Sequence, residues 1–142
     1  MEKSFESLII SDQKEKLQFE RIVNLLHSTH WAKQRDVSVI RQSIENCRCF
    51  GVYEQNGTQI AFARILTDNC TIYYISDVVV DASCRKQGVG RALIEAIVND
   101  ESLIHLKGLL LTTYAQDFYA SCGFEKCQKT CMIHDPLQRI PS

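Results

Sequence analysis

Between Cys47 and Val80 three stretches alternate with a period of two residues, separated by two turn signals, Asn56-Gly57 and Asp68-Asn69. The stretches, "CRCFGVYE", "TQIAFARIL" and "TIYYISDVVV", are rich in β-branched and aromatic residues. Strands joined by such short turns run antiparallel, so this region demands a three-strand meander, with Asn56-Gly57 supplying positive φ at both corners of its turn. Immediately afterwards Val89, Ala92, Leu93, Ala96 and Ile97 fall on one helical stripe. Gly108 to Thr113 then forms a short apolar run suited to a strand buried on both faces. Strand, crossover helix, strand makes that last pair parallel. The expected fold is α/β of the α+β kind, a mixed, mostly antiparallel central sheet flanked by helices.

The flanks complete the plan. Ser4 to Ile10 reads as a first strand, and Asp12 with Glu15 as a capping pair opening a helix that carries Phe19, Ile22, Val23 and Leu26. Trp31 to Gln34 reads as a loop, and Asp36 as the cap of a second helix with Val37, Ile40 and Ile44 on one side. After the apolar strand, Gln116 to Cys122 fits a helix stopped by Gly123, "EKCQKTCMIH" a final strand, and Pro136 and Pro141 a tail. The 142 residues read as one domain, with a recognisable core from about Phe5 to Ile133.

Composition narrows the function by exclusion. Sixteen basic against 17 acidic residues leave a net charge of −1, which offers no general attraction for nucleic acid or an acidic membrane. Without a long apolar run or a signal-like start the chain reads as cytoplasmic. Its seven cysteines, an odd number, then read as reduced thiols. They lack the paired spacing of a zinc site, and His27-x-x-His30 reads as a polar helix end, so no metal is expected.

One stretch concentrates chemistry. "DASCRKQGVGRAL" lies where a buried strand gives way to a helix, so free backbone N–H groups and the positive end of the helix dipole converge there. Gly88 and Gly90 open that surface to a phosphate, and Arg85, Lys86 and Arg91 add charge at its rim. Two glycines alone fit close packing on the preceding strand equally well. A dinucleotide fingerprint would need glycine where Leu93 stands, and a nucleoside-triphosphate loop would need Gly-Lys-Ser/Thr where Gly90-Arg91-Ala92 stands.

Arg85-Lys86-Gln87-Gly88-Val89-Gly90 resembles the Arg/Gln-x-x-Gly-x-Gly/Ala motif of the GCN5-related N-acetyltransferase (GNAT) family. "YYISDVVVDASCRKQGVGRALIEAIV" is similar to that family's strand-loop-helix core, and "DFYASCGF" to its later F-Y-x-x-x-G-F segment. The resemblance implies that Arg85, Lys86, Gln87, Gly88, Val89, Gly90 and Arg91 hold the pyrophosphate of acetyl-coenzyme A (acetyl-CoA). It implies also a splayed parallel strand pair, with the pantetheine arm in the gap along Val78, Val79 and Val80.

The implied chemistry is acetyl transfer to a primary amine, with a small molecule as the expected acceptor and a peptide or protein amine as an alternative. Tyr119 matches the family's general acid. Tyr74 stands where some members carry a glutamate base, leaving Asp77 as the acid in that strand. By alternation Asp77 faces away from Tyr74, Ser76 and Val78, and its role is open between base, substrate binder and structural polar group. The family's early helices cover the acceptor side, so Trp31 as an apolar wall and Arg35 as a carboxylate grip are the substrate candidates, each balanced by a packing or solvated role. The missing glutamate also leaves open an acyl-CoA sensor without turnover. The resemblance leaves a monomer or a homodimer as the expected state.

Overall fold

The computed structural model describes residues 2–5 and 7–137. The meander is formed by β3 (Arg48–Tyr53), β4 (Gln59–Thr67) and β5 (Ile72–Val80), paired antiparallel in sequence order. Its first turn spans three residues rather than two. Glu54 accepts from Gly57 N–H at 2.8 Å and donates to Thr58 O at 2.9 Å, and positive φ falls on Gly57 alone, at 92°. Asn56 instead accepts from Thr58 N–H through its side chain, so one glycine suffices where two left-handed residues were expected. The second turn forms around Asp68, whose carboxylate receives the N–H groups of Cys70 and Thr71, with Asn69 at φ 61°.

The chain enters the sheet as a hairpin, not as one strand. β1 (Glu2–Phe5) pairs with β2 (Leu8–Ser11), which pairs with β3, giving a six-stranded sheet in sequence order. The helix expected from Asp12 is only a 3₁₀ turn at Lys14–Lys16, preceded by Gln13 and without a side-chain cap. Asp12 is drawn off by Arg48 on β3, which binds it at 2.7 Å and also holds Asp100 beyond the third helix at 2.7 Å. A bidentate guanidinium outcompetes a cap for the same carboxylate. Helix α1 (Phe19–His27) follows, and α2 (Val37–Glu45) starts at Asp36, whose side chain accepts from Ser38 N–H as expected. Ile40 is fully buried, but Val37 is not part of the inward stripe and stays 44% exposed.

The sheet is packed on both faces. α3 (Val89–Val98) lays Val89, Leu93, Ile94 and Ile97 over Phe50, Ala63, Ile65 and Ile75. On the other face Ile22, Leu25, Leu26 and Ile40 of α1 and α2 cover Cys49, Phe62 and Val79. β6 (Lys107–Leu109) runs parallel to β5, as the crossover requires, but it is three residues long and half-exposed, not buried on both faces. α4 (Gln116–Ser121) ends at Gly123, φ 97°, where Phe124 N–H reaches back to Tyr119 O at 3.0 Å. The strand expected in "EKCQKTCMIH" does not form: residues 125–135 lack a sheet partner, and Met132 and Ile133 are exposed. Pro141 lies outside the described residues. Among the described residues no helix is long and apolar enough to cross a membrane.

Candidate active site

The parallel ladder ends early. Ile72, Tyr73 and Tyr74 pair with Lys107, Gly108 and Leu109, and beyond that row β5 continues to Val80 while the chain after β6 leaves it. The two strands therefore part at Ile75, and the backbone of the upper half of β5 is open on that side.

A bulge in the same half re-aims the side chains. Arg64 pairs with Ser76 and Phe62 with Val79, so Ala63 alone opposes Asp77 and Val78, and Asp77 takes φ 57°. Below the bulge Tyr73 and Ile75 pack on the α3 side; above it Val79 packs on the α1–α2 side. Asp77 consequently does not face away from Ser76, as plain alternation predicts. Both meet Arg64, whose Nε donates to Asp77 Oδ2 at 2.9 Å and whose Nη2 donates to Ser76 Oγ at 3.2 Å. Arg35 from the α1–α2 loop donates to the same Asp77 oxygen at 2.7 Å. The Asp77 side chain is wholly buried. Burial alone would push its carboxyl up, but the Arg35 hydrogen bond and the Arg64 charge outweigh that and hold it below the usual carboxylate range.

At the end of β5, Asp81 caps a short turn and receives Arg21 of α1 at 2.8 Å, fixing the strand end under that helix. Hydrogen bonds from Ser83 and then Arg21 lower its carboxyl to about 2. The chain next passes through Lys86, φ 64°, and Gly88, φ 82°, before α3 begins. The first helical bond runs from Ala92 N–H to Gly88 O, so the N–H groups of Val89, Gly90 and Arg91 have no intrahelical acceptor. A Cβ on Gly90 would meet the Phe118 ring at 3.4 Å and Val80 at 3.6 Å, ordinary van der Waals contact that leaves little room for anything larger.

Two cavities follow from this geometry. One of about 740 Å³ runs from Arg85, Lys86, Gly88 and Gly90 along Val78, Val79 and Val80 to Trp31. The other, about 160 Å³, fills the strand gap between Ser76, Asp77, Leu110, Thr112 and Tyr119. Both are lined by His30, Trp31, Val78 and Ala115, so they meet at Val78. Tyr119 stands on α4 against the Phe118 and Phe124 rings, and burial lifts its phenol to about 12.

Residues 45–126 match the family model of the acetyltransferase (GNAT) domain. This chain belongs to the GNAT family. Over 76 residues it is 37% identical to a UPF0039 protein of Schizosaccharomyces pombe, and the match spans 51% of each chain, about half the length of that relative. A protein of the GNAT family from Xanthomonas campestris pv. campestris is 29% identical, covers 94% of this chain and 96% of its own, and superposes with a TM-score of 0.84. Glucosamine-6-phosphate N-acetyltransferase from Arabidopsis thaliana shares the fold at a TM-score of 0.62 and 20% identity, over 91% of this chain and 99% of its own.

Within this GNAT fold the sequence candidates do not all gather. Arg85, Lys86, Gly88, Val89, Gly90 and Arg91 line the larger cavity; Gln87 does not. Arg91 also reaches across to Ser121 O at 3.1 Å, tying α3 to α4. Trp31 lines both cavities while packing on the α1–α2 core, so the wall and packing roles coincide. Its Nε1 is buried without a partner. Arg35 lines neither cavity and is spent on Asp77. Sequence reasoning missed Arg64, one basic residue in an alternating strand, and placed His30 in the stretch "HSTHWAKQRD" on the acceptor side without singling it out, because it has the surroundings of a polar helix end.

The GNAT cradle fits acetyl-CoA by its donor set: three free N–H groups, two glycines and flanking cations suit a pyrophosphate. Gly90→Val, which puts branched carbon into the narrow passage, is expected to abolish the rise in Tm produced by acetyl-CoA in a thermal-shift titration, with the far-UV spectrum retained. Gly88→Ala forces a Cβ into the left-handed region and is expected to cost about 1 kcal/mol in urea unfolding.

Proposed function

We propose that the protein transfers the acetyl group of acetyl-CoA to a primary amine on a small molecule, by direct attack in a ternary complex. The meeting of the two cavities at Val78 supports this reading, since two joined spaces, one rimmed by Arg85, Lys86, Gly88 and Gly90 and the other lined by Ser76, Asp77 and Tyr119, suit a donor and an acceptor. Acetyl-CoA, when bound, supplies an activated thioester. The chain's own residues do the rest. Backbone N–H groups of Val89 to Arg91, with Arg85 and Lys86, hold the pyrophosphate, and the open edge at Val78 to Val80 offers main-chain partners to the extended arm. To a backbone N–H near Val78 we assign the charge that builds on the acyl oxygen, and to Tyr119 the proton taken by the departing sulfur. The acceptor chamber is mostly apolar, lined by Trp31, Ile75, Leu110 and Leu111, with Asp77 already neutralised at its floor. That favours a compact amine over a basic peptide tail.

The sensor reading draws its support from the same floor: Asp77 is clamped and Tyr74 brings no carboxylate, so the chamber holds no free acid to serve as base. A panel of primary amines, followed by release of free coenzyme A thiol beside a thermal-shift titration with acetyl-CoA, separates the two. Enzyme activity gives both a shift and amine-dependent thiol; a sensor gives the shift alone; neither response removes the donor reading altogether.

A further inference from the structure

We propose that His30 is the general base of this site, taking the proton from the acceptor's ammonium; the assignment rests on the acetyl-transfer reading above. His30 is one of four residues shared by the two cavities, and of those four it alone has a titratable side chain. Its ring is held at the junction by edge contacts with Trp31, centroids 5.2 Å apart, and with Tyr114 from the β6–α4 loop, 5.6 Å apart. It thus bridges the two loops that flank the gap, at the level where thioester and amine would meet.

The groups around it leave the task to His30. On the acceptor side Asp77 is committed to Arg35 and Arg64, and Tyr119 holds its proton up to about 12. Tyr114 is a second phenol on the same wall. On the donor side Arg85, Lys86 and Arg91 are cations with no lone pair to offer, and the Cys84 thiol, beside the Ser83 hydroxyl at 3.7 Å, does not line the smaller cavity. His27, the nearby imidazole, is turned away, its Nε2 against Arg35 O at 2.8 Å. Imidazole is the side chain that exchanges a proton near neutral pH, and His30 is solvent-exposed, so it can pass that proton to water.

The ammonium gives one proton to His30, which releases it to solvent. The freed nitrogen lone pair forms the N–C bond as the C–S bond breaks, Tyr119 protonates the sulfur, and the proton shed by the new amide nitrogen restores the phenol.

The test uses the full chain, isotope-labelled at histidine Cε1, with His30→Gln identifying the His30 ring signal. Adding acetyl-CoA is expected to move that signal and leave those of His105 and His134 in place; a stationary His30 signal overturns the proposal. Thiol release is then compared for ethylamine, which arrives protonated, and trifluoroethylamine, which is already neutral at pH 7. His30→Gln is expected to slow ethylamine about 100-fold and trifluoroethylamine less than about threefold. Equal losses, or none, overturn the proposal while leaving acetyl transfer standing. Loss of the acetyl-CoA thermal shift in His30→Gln overturns it in favour of a packing role. A wild-type protein with the shift but no thiol release to either amine overturns it in favour of the sensor, and one with neither response overturns the acetyl-transfer reading itself.

Discussion

Tyr119→Phe is expected to lower turnover about 100-fold while leaving the acetyl-CoA-induced rise in Tm unchanged. The substitution removes one oxygen and keeps the ring that packs on Phe118 and Phe124, so the fold and the cradle at α3 are untouched. On the proposed mechanism, what is lost is the proton that Tyr119 gives to the departing thiolate. Burial lifts the phenol to about 12, which keeps it protonated throughout the neutral range. Burial raises a thiol in the same way, as at Cys49, pushed up to about 12 elsewhere in this fold, so a thiolate leaving into a dry site would take up a proton readily. Steady-state thiol release beside a thermal-shift titration measures both halves; loss of rate accompanied by loss of the shift would place Tyr119 in donor binding instead.

Asp77→Asn is expected to be the most destabilising single change at the site, by about 3 kcal/mol or a fall in Tm of about 10 °C. Asparagine tolerates the left-handed backbone at Asp77 and keeps its volume, so the bulge is not the cause. The cause is that Arg64 and Arg35, with side chains 15% and 22% exposed, lose the carboxylate that pairs with both. The same pair sets a pH dependence. The Asp77 carboxyl titrates lower folded than unfolded, so its stabilisation is fully present above the ordinary carboxylate value and is lost as pH falls through the folded value. The gap in stability between wild type and Asp77→Asn should therefore narrow on acidification, as urea unfolding at a series of pH values would show. A gap that stays constant into acid would mean that the carboxylate charge is not what holds this triad.

Local signals made much of the donor side legible. The meander, the crossover helix and the parallel return are written in periodicity and turn residues, because strand alternation and helical stripes depend on the chain's own neighbours. The shape of the junction before α3 was legible for the same reason: Gly88, Gly90 and the basic residues belong to a single strand-to-helix turn. The edges read less well. A strand expected at Ser4 to Ile10 proved to be a hairpin, and one expected after Gly123 did not form. Both depend on what a short apolar run finds as a partner, which periodicity does not encode.

The acceptor side took shape only in three dimensions. One extra residue in β5, absorbed at Asp77, reversed the faces above it and turned a candidate base into the anchor of two guanidiniums. Arg35 and Arg64 lie 42 and 13 residues from Asp77 in sequence, so no local pattern joins them. His30 and Tyr114 are likewise brought to one junction only because β6 leaves β5 after three pairs. Residue order alone was enough for the sheet's middle strands, the helix that closes them and the glycine-bearing turn at its start, since each is a matter of nearest neighbours along the chain. Which side chains share the smaller cavity, and in what charge state, depended on a bulge and a strand splay, because burial and pairing exist only once distant segments have met.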